Sequence, residues 1–385
     1  MNDIAIVVVA YNRPHSLRRI LSSLATAEYR EQDIPLIISI DQGDNADVIA
    51  IANEFDWEFG EKRVVCQEQN LGLKAHILKC GGYTREYGNI IMLEDDLFVS
   101  PVFFAYARAA LAFAEDKDYI GGISLYNHLF NVHVREPFQA FDDGFDNWYM
   151  QFASSWGQAW SKKQWDGFAE WYAKNAEKDL RTVGKLVPEN VLSWSEQSWL
   201  KHYIKYLIDT NQYFLYPKNS LTTNFSDEGT HAAEAVTDLQ VPLCIRMERE
   251  YSFSTLEDSS SVYDAFFENV VLRNKVIEVI PQAELIEIDL YGYKETKKRY
   301  VLSGAAKPYK ILTSYGRKLR PLDANILFNI EGNTFFLYDT SKPAAVPKIN
   351  LVKKYLYYYR GIKAKYMTLM LRYRVKERFG KKKQR

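Results

Sequence analysis

Two hydrophobic rhythms alternate along the N-terminal third of the chain. Strand-like segments occur at Ile4–Ala10, a continuous aliphatic run, and at Pro35–Ile40, Arg63–Gln67, Asn89–Leu93, with four apolar residues in a row, and Tyr119–Leu125. Runs of this length predict strands buried on both faces. Between them, apolar residues recur at helical spacing. Leu17, Ile20, Leu21 and Leu24 mark Pro14–Ala27 as a helix, and Ala46–Phe55, Gly72–Tyr87 and a segment from Pro101 to Glu115 follow. Pro101 stands near a helix start, where its missing N–H costs nothing. Strand and helix in alternation predict an α/β fold: a mostly parallel sheet flanked by helices on both faces.

Beyond residue 126 the pattern turns irregular and aromatic. Helices are expected at Lys162–Asn175 and Glu196–Thr210, while 245–290 is polar and ambiguous. Short strands are expected at Leu285–Leu290, Tyr309–Thr313, Ile326–Ile330 and Thr334–Tyr338, with Glu331-Gly332-Asn333 as a hairpin turn. Lys353–Arg378 reads as a basic helix rich in Tyr, Leu and Met. The expected organisation is an α/β domain over 1–244, a small β-rich accessory region over 245–347 and a basic amphipathic tail over 348–385.

The 385 residues carry zero net charge, but 348–385 holds 14 Lys/Arg against one acid, Glu377. An acidic body therefore precedes a cationic tail. A basic helix with apolar residues suits an anionic membrane surface. Nucleic acid is the rival partner; nothing else in the chain supports it, so none is expected. Cys66, Cys80 and Cys244 form an odd set without metal-like spacing, which argues against a disulfide framework and for a reducing compartment. No basic leader precedes the first strand, and no apolar run reaches the roughly 18 residues of a spanning helix. The expectation is a cytoplasmic protein, peripheral on the cytoplasmic membrane face.

The chemistry concentrates at strand ends. Asn89-Ile90-Ile91-Met92-Leu93 runs directly into Glu94-Asp95-Asp96. In an open α/β sheet ligands bind beyond the carboxyl ends of the strands. Three adjacent like charges there are most easily understood with a cation to neutralise them; a solvated loop is the plain alternative. The first strand ends in Tyr11-Asn12-Arg13-Pro14 and the second in Asp41, which would put all three junctions on one edge. A helix start favours an anion such as a phosphate. Neither a Gly-x-Gly-x-x-Gly nor a Walker A sequence is present, which removes the main support for dinucleotide and P-loop readings.

Taken in order, these motifs resemble glycosyltransferases of the GT-A (Rossmann-like) fold. Val8-Val9-Ala10-Tyr11-Asn12-Arg13-Pro14 resembles the opening of family-two-type transferases. Glu94-Asp95-Asp96-Leu97, with Pro101-x-Phe103-Phe104 after it, is closer to the DXD-like motif of the N-acetylglucosaminyltransferases that initiate complex N-glycans. Ile38-Ser39-Ile40-Asp41 and Lys74-Ala75-His76 also have counterparts there. The likeness covers the N-terminal 235 residues or so. It implies a nucleotide-sugar donor, a UDP-sugar by preference, a saccharide or lipid-linked acceptor, and Mn²⁺ or Mg²⁺ on Asp96. Glu94 and Asp95 would meet ribose or sugar hydroxyls, and Asp41 the uracil or ribose. Tyr11, Asn12, Arg13, Lys74 and His76 would complete the donor site.

Three later segments extend the resemblance. Ser193-Trp194-Ser195-Glu196-Gln197-Ser198-Trp199 places Glu196 where relatives carry a general base, commonly Asp; an inverting transferase needs such a carboxylate to take the acceptor's proton. As helix-start residues, Ser195 would simply cap and Glu196 would favour the dipole. Thr222–His231 puts His231 where it would hold metal or phosphate. Trp156 and Gly157 would wall the donor pocket, though core packing also explains Trp156. The resulting expectation is a transferase of hexosyl or N-acetylhexosaminyl groups in cell-surface polysaccharide or glycolipid synthesis. The rivals are a sugar-nucleotide nucleotidyltransferase, whose Gly-rich Arg-containing loop is missing at Tyr11–Pro14, and a non-catalytic membrane-binding protein on a transferase scaffold.

Overall fold

A computed structural model describes residues 4–30, 33–182, 184–227, 239–246 and 250–350, with Val352, Leu356 and 361–380; for 377–380 it describes the backbone only. It divides into two units. The first comprises Met1–Pro281 with Tyr293–Glu295, the second Gln282–Gly292 with Thr296–Arg385.

The first unit opens with β1 (Ile4–Ala10), α1 (Pro14–Ala25), β2 (Leu36–Ile40), α2 (Ala46–Glu54), β3 (Lys62–Cys66), α3 (Gly72–Gly81), α4 (Thr84–Tyr87) and β4 (Asn89–Glu94). Then come β5 (Leu97–Val99), α5 (Phe103–Ala114), β6 (Ile120–Ser124) and a small hairpin of β7 (Phe130–Asn131) and β8 (Glu136–Pro137). It continues with β9 (Asn147–Met150), β10 (Gln158–Ser161), α6 (Lys162–Asn175), α7 (Glu189–Leu192), α8 (Trp199–Thr210), β11 (Tyr213–Pro217), β12 (Thr222–Asn224), β13 (Val262–Tyr263) and α9 (Leu272–Ile277). The main sheet has nine strands in the order β13-β9-β11-β6-β10-β4-β1-β2-β3. Strands β1, β2, β3 and β4 are mutually parallel, and β6 pairs parallel with β11, while β10 runs antiparallel between β4 and β6. The expected α/β architecture, a mostly parallel sheet with helices on both faces, is therefore present.

Register decides what meets at the site. Val9 pairs with Glu94, and Ala10 with Ile40, so the ends of β1, β2 and β4 lie side by side. One sheet face, through Ile6, Val8, Leu93 and Ile123, packs on Leu17, Ile20, Leu21 and Leu24 of α1 and on α5. The other is aromatic: Trp160 of β10 meets Trp165 of α6 at 4.9 Å and Trp199 of α8 at 6.0 Å between ring centroids. There Gly81 of α3 is fitted so closely that a Cβ would lie 1.9 Å from the Trp165 ring.

The second unit holds a four-stranded sheet, β14-β15-β17-β16, from β14 (Ile286–Asp289), β15 (Tyr300–Ser303), β16 (Tyr309–Tyr315) and β17 (Phe335–Pro343). It also holds α10 (Ala324–Leu327) and α11 (Ala364–Gly380). The small β-rich C-terminal sheet was expected.

Several local expectations are corrected. Ile326–Ile330 is not a strand: α10 ends at Leu327 and Asn329 is left-handed at φ +51°. The helix expected over Gly72–Tyr87 is interrupted at Gly82-Tyr83. Helix α8 begins at Trp199, three residues later than expected, and its cap is Ser198, whose Oγ accepts from the Lys201 N–H at 3.4 Å. Ser195 instead accepts from Gln197 N at 3.1 Å, so Glu196 lies in a turn ahead of the helix. The last helix is not amphipathic in the simple sense: Tyr366, Leu369 and Tyr373 lie on one side, Met367, Leu371 and Val375 on the opposite side.

Candidate functional site

The acids and the first turn of α1 converge because β1 and β4 are parallel neighbours. Arg13 bends back over the end of β4. Its Nη1 donates to Asp96 Oδ2 at 3.1 Å and its Nε to Asp95 Oδ2 at 3.3 Å, while Nη2 pairs with Asp95 Oδ1. Burial opposes the guanidinium's charge, but the pull of Asp95 and Asp96 outweighs it. One cation thus serves two of three carboxylates.

The third acid has no such partner. Burial first, then Asp96, pushes the Glu94 carboxyl up to about 8, against the opposing pull of Arg13. Glu94 retains partial exposure at the end of β4. Asp95 is raised to about 6 by burial, with Arg13 again opposing. Asp96 Oδ1 is buried and has no hydrogen-bond partner. One more orphan lies on the same sheet face as Glu94. Gln158 pairs with Met92 across β10 and β4, is fully buried, and neither its amide oxygen nor its amide nitrogen has a partner.

A second arginine was not singled out in the sequence. Ser16 Oγ donates to Asp227 Oδ2 at 2.6 Å, and Arg19 pairs with both oxygens of the same carboxylate. Burial would raise the Asp227 carboxyl, but the Arg19 and Ser16 hydrogen bonds and the charges of Arg19 and Arg13 outweigh it and hold it below its ordinary value. The Arg19 guanidinium also lies 3.9 Å from the centre of the Phe225 ring. Phe225 N in turn donates to the Asp96 carbonyl at 3.0 Å, and β12 pairs antiparallel with β5 directly after the acids. The 222–227 segment is therefore tied both to the Asp96 turn after β4 and to α1. Ser16 and Arg19, at i and i+3, were the available signal; their acceptor lies 211 residues from Ser16, which no local pattern reveals.

Asp41 is buried and committed to backbone. Its Oδ1 accepts from Leu71 N at 2.8 Å and Gln42 N at 2.9 Å, and its Oδ2 from Gly72 N at 2.9 Å. It thereby anchors the start of α3, where Gly72 adopts φ +72°. Asn45 Nδ2 donates to the carbonyls of Tyr11 and Asp41 at 2.7 and 2.8 Å, joining the β1 and β2 junctions. The Tyr11 ring lies so close to Gly43 that a Cβ there would be 2.6 Å from it. Asn12 is exposed. Lys74 is half-buried on α3, whereas His76 is buried with Nε2 2.7 Å from Ser39 Oγ, and burial lowers its pKa.

Gly157 has φ +92°, and a Cβ there would lie 2.7 Å from the Thr222 methyl. Thr222 Oγ1 donates to the Trp156 carbonyl at 2.5 Å. The Trp156 ring packs edgewise on Tyr126 at 4.7 Å and remains half-exposed. Glu196 is 85% exposed, and Lys201, 4% exposed, donates to its Oε1 at 2.6 Å. That pairing lowers the Glu196 pKa, with Lys74 contributing a little. The neighbouring Gln197 Oε1 is 4.0 Å from a Cβ position built on Gly72, which puts this turn beside the start of α3. His231 lies outside the described residues.

The structure thus brings Arg13, Glu94, Asp95 and Asp96 into one cluster, while Asn45 joins the Tyr11 backbone to that of Asp41, which anchors the start of α3. His76 belongs to the sheet–helix interior. Whether the acids suit a divalent cation can be judged from their atoms. Among the described residues no group of three or more His, Cys, Asp or Glu side chains is arranged as a metal cage. A lone buried carboxylate oxygen on Asp96 is nonetheless the donor type that Mg²⁺ and Mn²⁺ use when substrate phosphates and water complete the shell. The residues fit that mode and not a preformed all-protein site.

No family model matches the sequence, and no curated protein matches it. Among solved structures, the mannosyltransferase PcManGT from Pyrobaculum calidifontis, in complex with GDP-Man and Mn²⁺, is similar over 42% of this chain and 47% of its own, at 11% identity and TM-score 0.31. S. aureus TarS 1-349 in complex with UDP-GlcNAc is similar over 61% of each chain, at 12% identity and TM-score 0.38. The chain spans about half to three fifths of the length of these neighbours.

Proposed function

We propose that the protein is a metal-dependent glycosyltransferase. In this reading it moves a sugar from a nucleoside diphosphate sugar, preferably a UDP-sugar, to a saccharide or lipid-linked acceptor with inversion, in cell-surface polysaccharide or glycolipid synthesis. The observation that carries the reading is the cluster at the ends of β1 and β4. A buried, unpartnered Asp96 oxygen stands beside Glu94 and Asp95, with Arg13 at the start of α1.

Asp96 would hold the Mn²⁺ or Mg²⁺. When bound, the ion offsets the charge that develops on a departing diphosphate. The N-terminal end of α1, with Arg13 at its start, favours an anion beside it. Glu94, held near neutrality by burial, has both a donor and an acceptor to offer a sugar hydroxyl. Glu196 would take the acceptor hydroxyl's proton as the new bond to the anomeric carbon forms; its pairing with Lys201 keeps it ionised.

The test is hydrolysis and transfer with UDP-sugars in the presence and absence of Mn²⁺. The expected result is UDP release that requires the metal and falls about a hundredfold or more in Asp96→Ala. Turnover at full rate without metal would overturn the assignment of Asp96. Conversion of a sugar phosphate and a nucleoside triphosphate to a sugar nucleotide would place the protein among nucleotidyltransferases instead.

A further inference from the structure

Arg13 sits on the oxygens that a divalent cation needs. Its guanidinium takes both oxygens of Asp95 and Oδ2 of Asp96, which leaves Asp96 Oδ1 as the unpartnered oxygen of the two carboxylates. A cation at that oxygen stands beside a guanidinium on the other oxygen of the same carboxylate. The Asp95 and Asp96 side chains are 3% and 14% exposed, so water screens the repulsion weakly. Entry of a cation therefore favours departure of the guanidinium.

The departing guanidinium needs another anion. Asp227 feels the Arg13 charge, but its oxygens already serve Ser16 and Arg19. Arg13 is the residue that starts α1, and its own side chain does not cap that helix. The helix start beside it favours a phosphate. A planar guanidinium fork matches two phosphate oxygens as well as it matches two carboxylate oxygens. The Arg13 side chain is 24% exposed, so it meets solvent from which a ligand arrives.

We propose that Arg13 bars a free divalent cation from Asp95 and Asp96, and releases them by passing its guanidinium to the diphosphate of an incoming nucleotide. The inference rests on the metal and nucleotide reading of this site. The exchange keeps every charge paired: the carboxylates pass to the cation and the guanidinium to the phosphates. A cation without a diphosphate leaves Arg13 unpaired, and a diphosphate without a cation meets carboxylates that still hold it. Arg13 is thus the positioning residue that makes the two ligands favour each other, and such coupling is reciprocal. An ion pair that merely fastens α1 to the end of β4 would not resist the cation in this way.

The experiment is calorimetric titration of Mn²⁺ into the full chain, wild type and Arg13→Gln, with and without UDP. Arg13→Gln is expected to bind Mn²⁺ alone about tenfold or more tighter than the wild type, and UDP is expected to tighten Mn²⁺ binding less in the variant than in the wild type. Mn²⁺ alone should also raise the melting temperature of Arg13→Gln more than that of the wild type. A second measurement needs no folded glutamine variant. The Arg13 Nε–Hε resonance of the wild type, assigned by its loss in Arg13→Lys, should stay in place with Mg²⁺ alone and shift with Mg²⁺ and UDP together. Mn²⁺–UDP binding by the wild type with no gain for Mn²⁺ alone in Arg13→Gln would overturn this proposal and leave the metal-site reading standing. So would an Arg13 resonance that Mg²⁺ and UDP together leave unmoved. Failure of both proteins to bind Mn²⁺ even with UDP would overturn the metal-site reading and the proposal with it.

Discussion

Lys201 is buried and its partner Glu196 is exposed, an unequal pair in which the lysine sets the carboxylate's behaviour. Removing Lys201 lets the Glu196 pKa rise toward its ordinary value. If Glu196 is the base, activity is lost as pH falls through that pKa, so the acid limb of the kcat/KM profile should move to higher pH in Lys201→Met and stay near its wild-type place in Lys201→Arg. An unmoved limb in Lys201→Met would remove Glu196 from the proton transfer. Glu94 makes a second prediction, with the opposite sign of shift. Its folded pKa, about 8, lies above the ordinary 4.5, so the native state holds a proton that the unfolded state has released across that interval. The metal-free protein should therefore lose stability as pH rises from about 5 to 8, and Glu94→Gln should flatten that slope in thermal melts. A slope equal to the wild type's would contradict the burial of Glu94. The acid triplet and Arg13 were legible because each lies at a strand end that hydrophobic runs announce. Asp227 and Lys201 were not, because their meaning comes from partners that only folding brings near.

Among elements, the starts of helices carry the site. Asp41 pins the beginning of α3 through two N–H donors of the Leu71-Gly72 backbone and one from Gln42. Replacing it with alanine leaves those donors without an acceptor and should cost about 1–3 kcal/mol in urea unfolding. No loss of stability would mean that the loop is held elsewhere. At the far end of α3, Gly81→Ala would press a methyl into the Trp165 ring and should cost about 1–3 kcal/mol by the same measure. The long aliphatic strands β1, β2 and β4 were readable because an unbroken run of that kind suits a strand buried on both faces. β10 was missed: it is four residues long, begins with Gln158, and enters the sheet antiparallel between β4 and β6. Ile326–Ile330 was misread because a short apolar run does not distinguish helix from strand. The start of α8 was misplaced because Ser195 and Ser198 are equally good caps in sequence, and the turn around Ser195 uses the first of them.

For the whole chain, the mostly parallel sheet and the small C-terminal sheet follow from strand–helix alternation and short strand runs. The opposed charges of body and tail are visible from composition alone. The distribution of apolar residues around α11 was not, because a run rich in Tyr, Leu and Met fits several helical faces until the helix limits are known. The central claim is that the strand-end acids form a site for a divalent cation and a nucleoside diphosphate. It is tested most directly by equilibrium binding of Mn²⁺ to the wild type and to Asp96→Ala, with and without UDP. The account predicts that UDP tightens Mn²⁺ binding about tenfold or more in the wild type and has no such effect in Asp96→Ala, whose fold is retained. Binding of UDP that is indifferent to Mn²⁺ and unchanged in Asp96→Ala would contradict it.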